Sequence, residues 1–247
     1  MSTLVLVAAL LFQDAKAADE AVKEFTAAFN KKGASEAERI AAVKALAATH
    51  HDETSKVLAR VLGCGQPAVS IEAAKELAAF TDVRNTAARV APYLFEKVNV
   101  ERTALRIEIG KCLGALKDPA GLPTLHKALR DRDLLVAKEV IEQLAVIRRK
   151  ESVPVLIEYL KLCEYAPSSE MLVQLPIQFD NPNDQLQQQW NFSIAVSADD
   201  YQRMRKATLH EPLLKALRDL TKEKWETYRG WRDWWAASGA RFEIAKE

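Results

Sequence analysis

The chain is poor in what a turn-rich, disulfide-stapled or metal-built protein needs. Of its 247 residues only 8 are glycine and 9 proline. That is too few for the many tight turns of an all-β fold or for a low-complexity chain. Cysteine occurs three times, as Cys64, Cys112 and Cys163. The count is odd and no CxxC spacing occurs, so neither a disulfide framework nor a zinc site is supported. Cys112 stands with Ile109, Leu113 and Leu116 on an apolar helical face, where a thiol serves as a small hydrophobe. One disulfide with one thiol left over is the alternative in an oxidising compartment. An excess of charge is missing as well: 35 basic residues face 34 acidic ones, for a formal net charge of +1. Phosphate recognition needs a basic surplus, so a dedicated nucleic-acid binder is disfavoured.

Catalytic signatures are also absent. No GxSxG, HExxH, Walker or GxGxxG pattern occurs, and no pair of carboxylates stands out for acid/base work. The one dense run of potential ligands is His50-His51-Asp52-Glu53. Neighbouring histidines on a helix point about 100° apart and rarely share a metal. These residues fall at a turn, where a cationic side chain suits the carbonyl end of the preceding helix. His126 and His210 are isolated in the sequence. The expectation is a protein that is not an enzyme, with no cofactor and no metal.

The chain opens with an apolar run, Leu4 to Phe12. A membrane-spanning helix needs ~20 such residues, so the run is too short to cross a bilayer. It fits the apolar region of a secretory signal, and Ala15-Lys16-Ala17 supplies a small-x-small cleavage pattern. No Lys or Arg precedes the run. The expectation is a signal peptide over 1–17, cut after Ala17, and an exported protein, periplasmic or extracellular. A retained first helix packed on the rest, in a cytoplasmic protein, is the alternative.

What the chain does have is helix. Hydrophobic residues make up 49% and charged residues 28%, enough for a sizeable core and a hydrated surface. From about Ala18 to Lys161 the apolar pattern repeats with the helical period. Turn chemistry falls at Lys32-Gly33, at Gly63-Cys64-Gly65-Gln66-Pro67, at Asp118-Pro119 and at Asp131-Arg132-Asp133. Four segments superpose: 41–58, 72–90, 108–125 and 139–156. Each carries a central leucine, Leu46, Leu77, Leu113 and Leu144, at intervals of 31, 36 and 31 residues. A fifth, weaker copy centres on Leu217. Such a period means stacked helical hairpins, none of which can bury its apolar face alone.

Residues 114–133, GALKDPAGLPTLHKALRDRD, carry Gly114, Leu116, Asp118, Pro119, Pro123, Leu125, Ala128, Leu129 and Asp131. This pattern resembles the HEAT-like repeat first described in phycobilin lyases. Gly114 lets two helices approach closely, Asp118 can cap the next helix, and Pro119 sits where the first turn needs no N–H. Copy four keeps Pro154 and Leu156 but has Lys150-Glu151 in place of Asp-Pro, and the first two copies lack that turn. The resemblance covers most of 35–160. It implies an all-α protein, a right-handed α-solenoid of HEAT-like helical hairpins, over 18–161. The fold hosts scaffolds, lyases and DNA glycosylases, so it leaves function open. A lyase or DNA glycosylase-like enzyme is the alternative to a non-catalytic protein-protein interaction scaffold.

In proteins of this kind the second helices line the concave surface. Two residues before the central leucines stand Lys44, Lys75, Lys111 and Lys215, with Glu142 in the fourth copy. Stacked repeats would align these lysines into a row facing an acidic partner protein or polyanionic glycan. The local explanation is helix support from Glu72–Lys75 and Glu108–Lys111, ~0.2–0.5 kcal/mol per pair.

The repeat breaks at 162–202, which holds no Lys or Arg. There the period switches to two: Met171, Val173, Leu175, Ile177 and Phe179, then Trp190, Phe192, Ile194 and Val196, around Asp180-Asn181-Pro182-Asn183-Asp184. This reads as a small β-hairpin insertion, with Pro176 at an edge or bulge. A lone hairpin is marginal in water, so it either covers the array's own core or presents Trp190 and Phe192 to a partner. Oligomerisation through it is a third reading. Over 203–247, Tyr228, Trp231 and Trp235 share one helix face, as expected of a final helical hairpin with an aromatic cap. Its minority reading is an aromatic shelf for carbohydrate or peptide.

Overall fold

The computed structural model describes residues 3–165, 173–176 and 193–244. The chain divides into two compact units, Met1–Gly121 and Leu122–Glu247. The first holds α1 (Thr3–Phe29), α2 (Glu36–Ala47), α3 (Asp52–Val61), α4 (Pro67–Leu77), α5 (Thr86–Val90) and α6 (Thr103–Leu116). Its helices form two rows. One runs α1, α3, α5 and the other α2, α4, α6, with α1 packed on α2, α3 on α4 and α5 on α6. The second unit holds α7 (Leu122–Ala128), α8 (Leu134–Ile147), α9 (Ser152–Tyr165), α10 (Ala198–Thr221) and α11 (Tyr228–Ser238). There α7, α9 and α11 form one row and α8 and α10 the other. Within each unit, then, successive helical hairpins stack side by side.

Local chemistry sets the helix starts. Ser35 and Glu38 form a reciprocal capping box: Ser35 Oγ accepts from the Glu38 amide at 3.2 Å, and Glu38 Oε2 accepts from the Ser35 amide at 2.7 Å. Pro67 opens α4, and Asp133 caps α8 by accepting from the Leu135 amide at 3.0 Å. Asp118 Oδ1 accepts from the Ala120 amide at 2.9 Å and so starts the 3-10 turn Pro119–Gly121 before α7. Gly33 and Gly65 adopt positive φ, 80° and 85°, in the turns before α2 and α4.

The central leucines hold the core. Leu46 (α2), Leu77 (α4) and Leu113 (α6) are each 1% exposed or less, and in the second unit so are Leu144 (α8) and Leu217 (α10). Burying each is worth ~1.5–3 kcal/mol. The sequence period therefore tracks one row of helices in each unit: α2, α4 and α6 in the first, α8 and α10 in the second.

Helix is not continuous over 18–161 apart from the expected breaks. Irregular chain also separates α4 from α5, and two 3-10 turns, Ala91–Leu94 and Lys97–Asn99, separate α5 from α6. Buried side chains replace the missing helical hydrogen bonds. Asn99 Nδ2 donates to the carbonyls of Leu62 (3.2 Å) and Tyr93 (3.0 Å). Arg106 donates from Nε to the Leu94 carbonyl at 3.0 Å and from Nη1 to the Val100 carbonyl at 3.3 Å. Apolar periodicity does not register this arrangement, because several of its acceptors lie far along the chain.

In the second unit, β1 (Val173–Pro176) and β2 (Ser193–Val196) pair antiparallel, with Val173 opposite Val196 and Pro176 opposite Ser193. The remainder of the alternating stretch lies outside the described residues. No helix among the described residues is long and apolar enough to cross a membrane.

Candidate interaction surface

Two residues along an α-helix rotate a side chain by about 200°. A leucine pointing into the core therefore sends the residue two before it outward. Lys44, Lys75 and Lys111 are accordingly exposed on α2, α4 and α6, and Lys215 is exposed on α10. Glu142 holds the same place on α8.

The ion pairing differs from the sequence expectation at one helix. Glu72 does not serve Lys75; its Oε1 lies 2.9 Å from Lys44 Nζ on the preceding helix of the row. That contact raises the Lys44 pKa, first through the hydrogen bond to Glu72. The expected Glu108–Lys111 pair forms, at 2.7 Å. Lys75 and Lys215 have no carboxylate within ion-pair distance among the described residues. The exposed face of α2, α4 and α6 thus carries two lysines matched by glutamate and one unmatched. Such exposed pairs contribute ~0–1 kcal/mol each, so they set local charge pattern more than stability.

Trp190 and Phe192 lie outside the described residues. The C-terminal aromatics divide between core and surface. Trp231 is fully buried and Tyr228 is buried, while Trp234 and Trp235 are half-buried. Trp234 meets the Trp231 and Phe242 rings edge-on, at centroid distances of 5.7 and 5.5 Å. The helix carrying them, α11, packs on α9, and Glu164 Oε1 of α9 accepts from the Tyr228 amide at 3.0 Å. Trp225 remains 41% exposed.

The histidines turn out to be ties within the fold. His51 Nδ1 accepts from the Glu53 amide at 3.2 Å and caps α3, so the ring marks a helix start and not the preceding helix's carbonyl end. His50 stacks on Phe80, centroids 4.5 Å apart. His126 Nε2 lies 3.0 Å from Ser152 Oγ, and burial lowers its pKa. The pair has the composition of a nucleophile and base, but Ser152 is 0% exposed, out of reach of a substrate. His210 Nε2 lies 3.2 Å from Glu164 Oε1. Neither of these two partners was legible in the sequence, since each comes from another helix. All three cysteines are free thiols. Burial pushes the Cys112 pKa up to about 12 and that of Cys163 to about 11, which keeps both protonated and unreactive. Among the described residues no three His, Cys, Asp or Glu side chains gather in a way that could hold a metal ion.

Comparison with known proteins bears on the middle of the chain. No curated protein sequence matches it, and no solved structure does. Residues 91–167 match a family model described as HEAT repeats. That stretch contains the Asp118-Pro119 turn and spans α6 to α9, and over it the chain is similar to HEAT repeats.

Proposed function

We propose that this protein is a non-catalytic scaffold that binds a protein partner on the exposed face of the leucine-centred helices. One observation carries the reading: a single register repeats along the row, with leucine inside and lysine outside at Lys44, Lys75 and Lys111. A rigid ridge of evenly spaced side chains is what a repeat array offers a macromolecule. HEAT repeats commonly mediate such interactions. The finer reading is a right-handed α-solenoid whose second helices form the concave side, with Lys215 as the exposed lysine of α10 in the second unit and Trp190 and Phe192 offered from the insertion.

The reading includes export. The apolar run Leu4 to Phe12 and the Ala15-Lys16-Ala17 pattern support a cleaved signal, so the partner is sought among exported proteins. Acidic partners fit best, because Lys75 has no carboxylate of its own among the described residues.

The test is the double charge reversal Lys75→Glu and Lys111→Glu. Both side chains are exposed, so the variant is expected to fold. The expected outcome is loss of the partners that the unaltered protein retains in a pull-down from exported proteins. Retention of the same partners at the same yield removes the lysine face from the proposal.

A further inference from the structure

Three buried hydrogen-bond donors in the second unit lack acceptors among the described residues, Tyr159 Oη, Arg205 Nε and Trp231 Nε1, and the first two lie on two packed helices. Tyr159 and Cys163 lie one turn apart on α9, and Tyr201 and Arg205 one turn apart on α10, the helix packed against it. Tyr201 is fixed by its hydroxyl, which reaches the turn before α8 through the carbonyls of Asp131 (3.5 Å) and Arg132 (3.3 Å). The Arg205 guanidinium stacks on the Tyr201 ring, 4.7 Å from its centroid. Its Nη1 donates to Gln202 Oε1 at 3.2 Å, and Gln202 Nε2 donates in turn to the Leu162 carbonyl at 2.6 Å. Arg205 is therefore held in orientation, yet its Nε–H is buried with no acceptor. The Tyr159 hydroxyl is likewise buried and without a partner, in a residue 3% exposed. Burial raises the Tyr159 pKa and the Arg205 charge opposes that rise, so the two groups lie within electrostatic reach of each other. Each such orphan costs ~1–3 kcal/mol.

We propose that Tyr159 Oη–H and Arg205 Nε–H form a binding site for one carboxylate group, each donor serving one oxygen. The site goes beyond the scaffold reading and does not depend on it. A carboxylate accepts only and offers two oxygens. It also carries the charge that Arg205 lacks, since this guanidinium makes no ion pair among the described residues. Water suits the place less well, because its own hydrogens need acceptors and both unpartnered groups are donors. A phosphate dianion would keep one charge unmatched and one or more oxygens without donors. The neighbouring acid, Asp131, has its Oδ1 engaged by the Asp133 amide at 2.9 Å. The Cys163 thiol, kept protonated by burial, adds no competing charge. Arg205 as a residue is partly exposed, although its Nε is buried.

The test follows the Arg205 side-chain Nε–H resonance of the ¹⁵N-labelled full chain during titration with acetate, chloride holding ionic strength constant. The resonance is assigned by its loss in Arg205→Lys. The expected result is a saturable shift, with affinity about tenfold weaker in Tyr159→Phe and no saturable shift with inorganic phosphate. A parallel titration with glycylglycine and its C-terminal amide separates the sources. Tighter binding of the free dipeptide than of acetate identifies a chain terminus, and equal binding identifies a small free acid. Absence of saturation with acetate, equal affinity in Tyr159→Phe, or equal saturation by phosphate overturns the proposal. Should Tyr159→Phe fail to fold, Arg205→Lys decides by acetate-dependent shifts of the neighbouring backbone amides: it keeps the charge without the Nε fork, and undiminished binding there is equally fatal.

Discussion

Lys117, Arg148 and Lys222 end α6, α8 and α10 in the left-handed region, at φ of 51°, 54° and 66°. Each amide still closes the last turn, Lys117 onto the Gly114 carbonyl at 3.2 Å and Lys222 onto the Arg218 carbonyl at 2.8 Å. That backbone costs a residue with a Cβ ~1–2 kcal/mol, and glycine is free of the penalty. Glycine's greater freedom in the unfolded chain offsets ~0.5–1 kcal/mol of the gain. Lys117 is exposed, so Lys117→Gly is expected to stabilise the protein by about 0.5–1 kcal/mol, read as a raised midpoint in urea. A basic residue at each of these carbonyl ends recovers part of the strain through the helix dipole. A second residue-scale expectation concerns Asp52. Its carboxylate meets Lys56 Nζ at 2.8 Å and Arg89 Nη2 at 2.6 Å, and these contacts, Lys56 first, hold its pKa below the usual value. A depressed carboxylate contributes stability above the unfolded-state pKa of about 3.9 and loses it as pH falls through the folded value. The side chain is part-exposed, so screening keeps the contribution to about 1 kcal/mol or less. Unfolding free energies of the protein and of Asp52→Asn should therefore differ at neutral pH and converge below about pH 4.

Among elements, those whose limits depend on neighbouring residues were legible. The turns at Gly33, Gly65, Asp118-Pro119 and Asp133 stand where short-range turn chemistry put them, and the five leucines lie on one row of helices in each unit because burial imposes the helical period. Elements held by distant partners were not legible. Asn85 and Pro92 mark the two ends of α5, but the contacts that hold the irregular chain are distant, since Asn99 and Arg106 find their acceptors at Leu62 and Leu94. The site suffers in the same way. Glu72 lies three residues before Lys75 and looks like its partner, yet stacking brings Lys44 closer. This gives an expectation for the irregular segment: Asn99→Ala strips the buried Leu62 carbonyl and the part-buried Tyr93 carbonyl of a donor. The cost should be about 2–3 kcal/mol, more than most surface changes, and amide exchange should rise over 91–102 before it rises in α6.

At the scale of the molecule, the expected cut after Ala17 meets a continuous helix, α1 from Thr3 to Phe29. The described anchors of that helix lie beyond the cut. Ala18 and Phe25 are buried, the Phe25 and Phe29 rings meet at 4.9 Å, and Arg39 Nε donates to the Phe29 carbonyl at 3.2 Å. Lys16 and Ala17 are not among the buried residues. Removing 1–17 would shorten the helix and leave these described anchors in place. The chain 18–247 should unfold within about 1 kcal/mol of the full chain, a difference expected of surface changes. The chain 30–247 should be weaker by several kcal/mol, because it exposes the surface that Ala18 and Phe25 cover. Thermal unfolding of the three proteins separates the cases. A loss of several kcal/mol already in 18–247 would mean that the first seventeen residues belong to the folded core, and export by cleavage after Ala17 would then have to be given up.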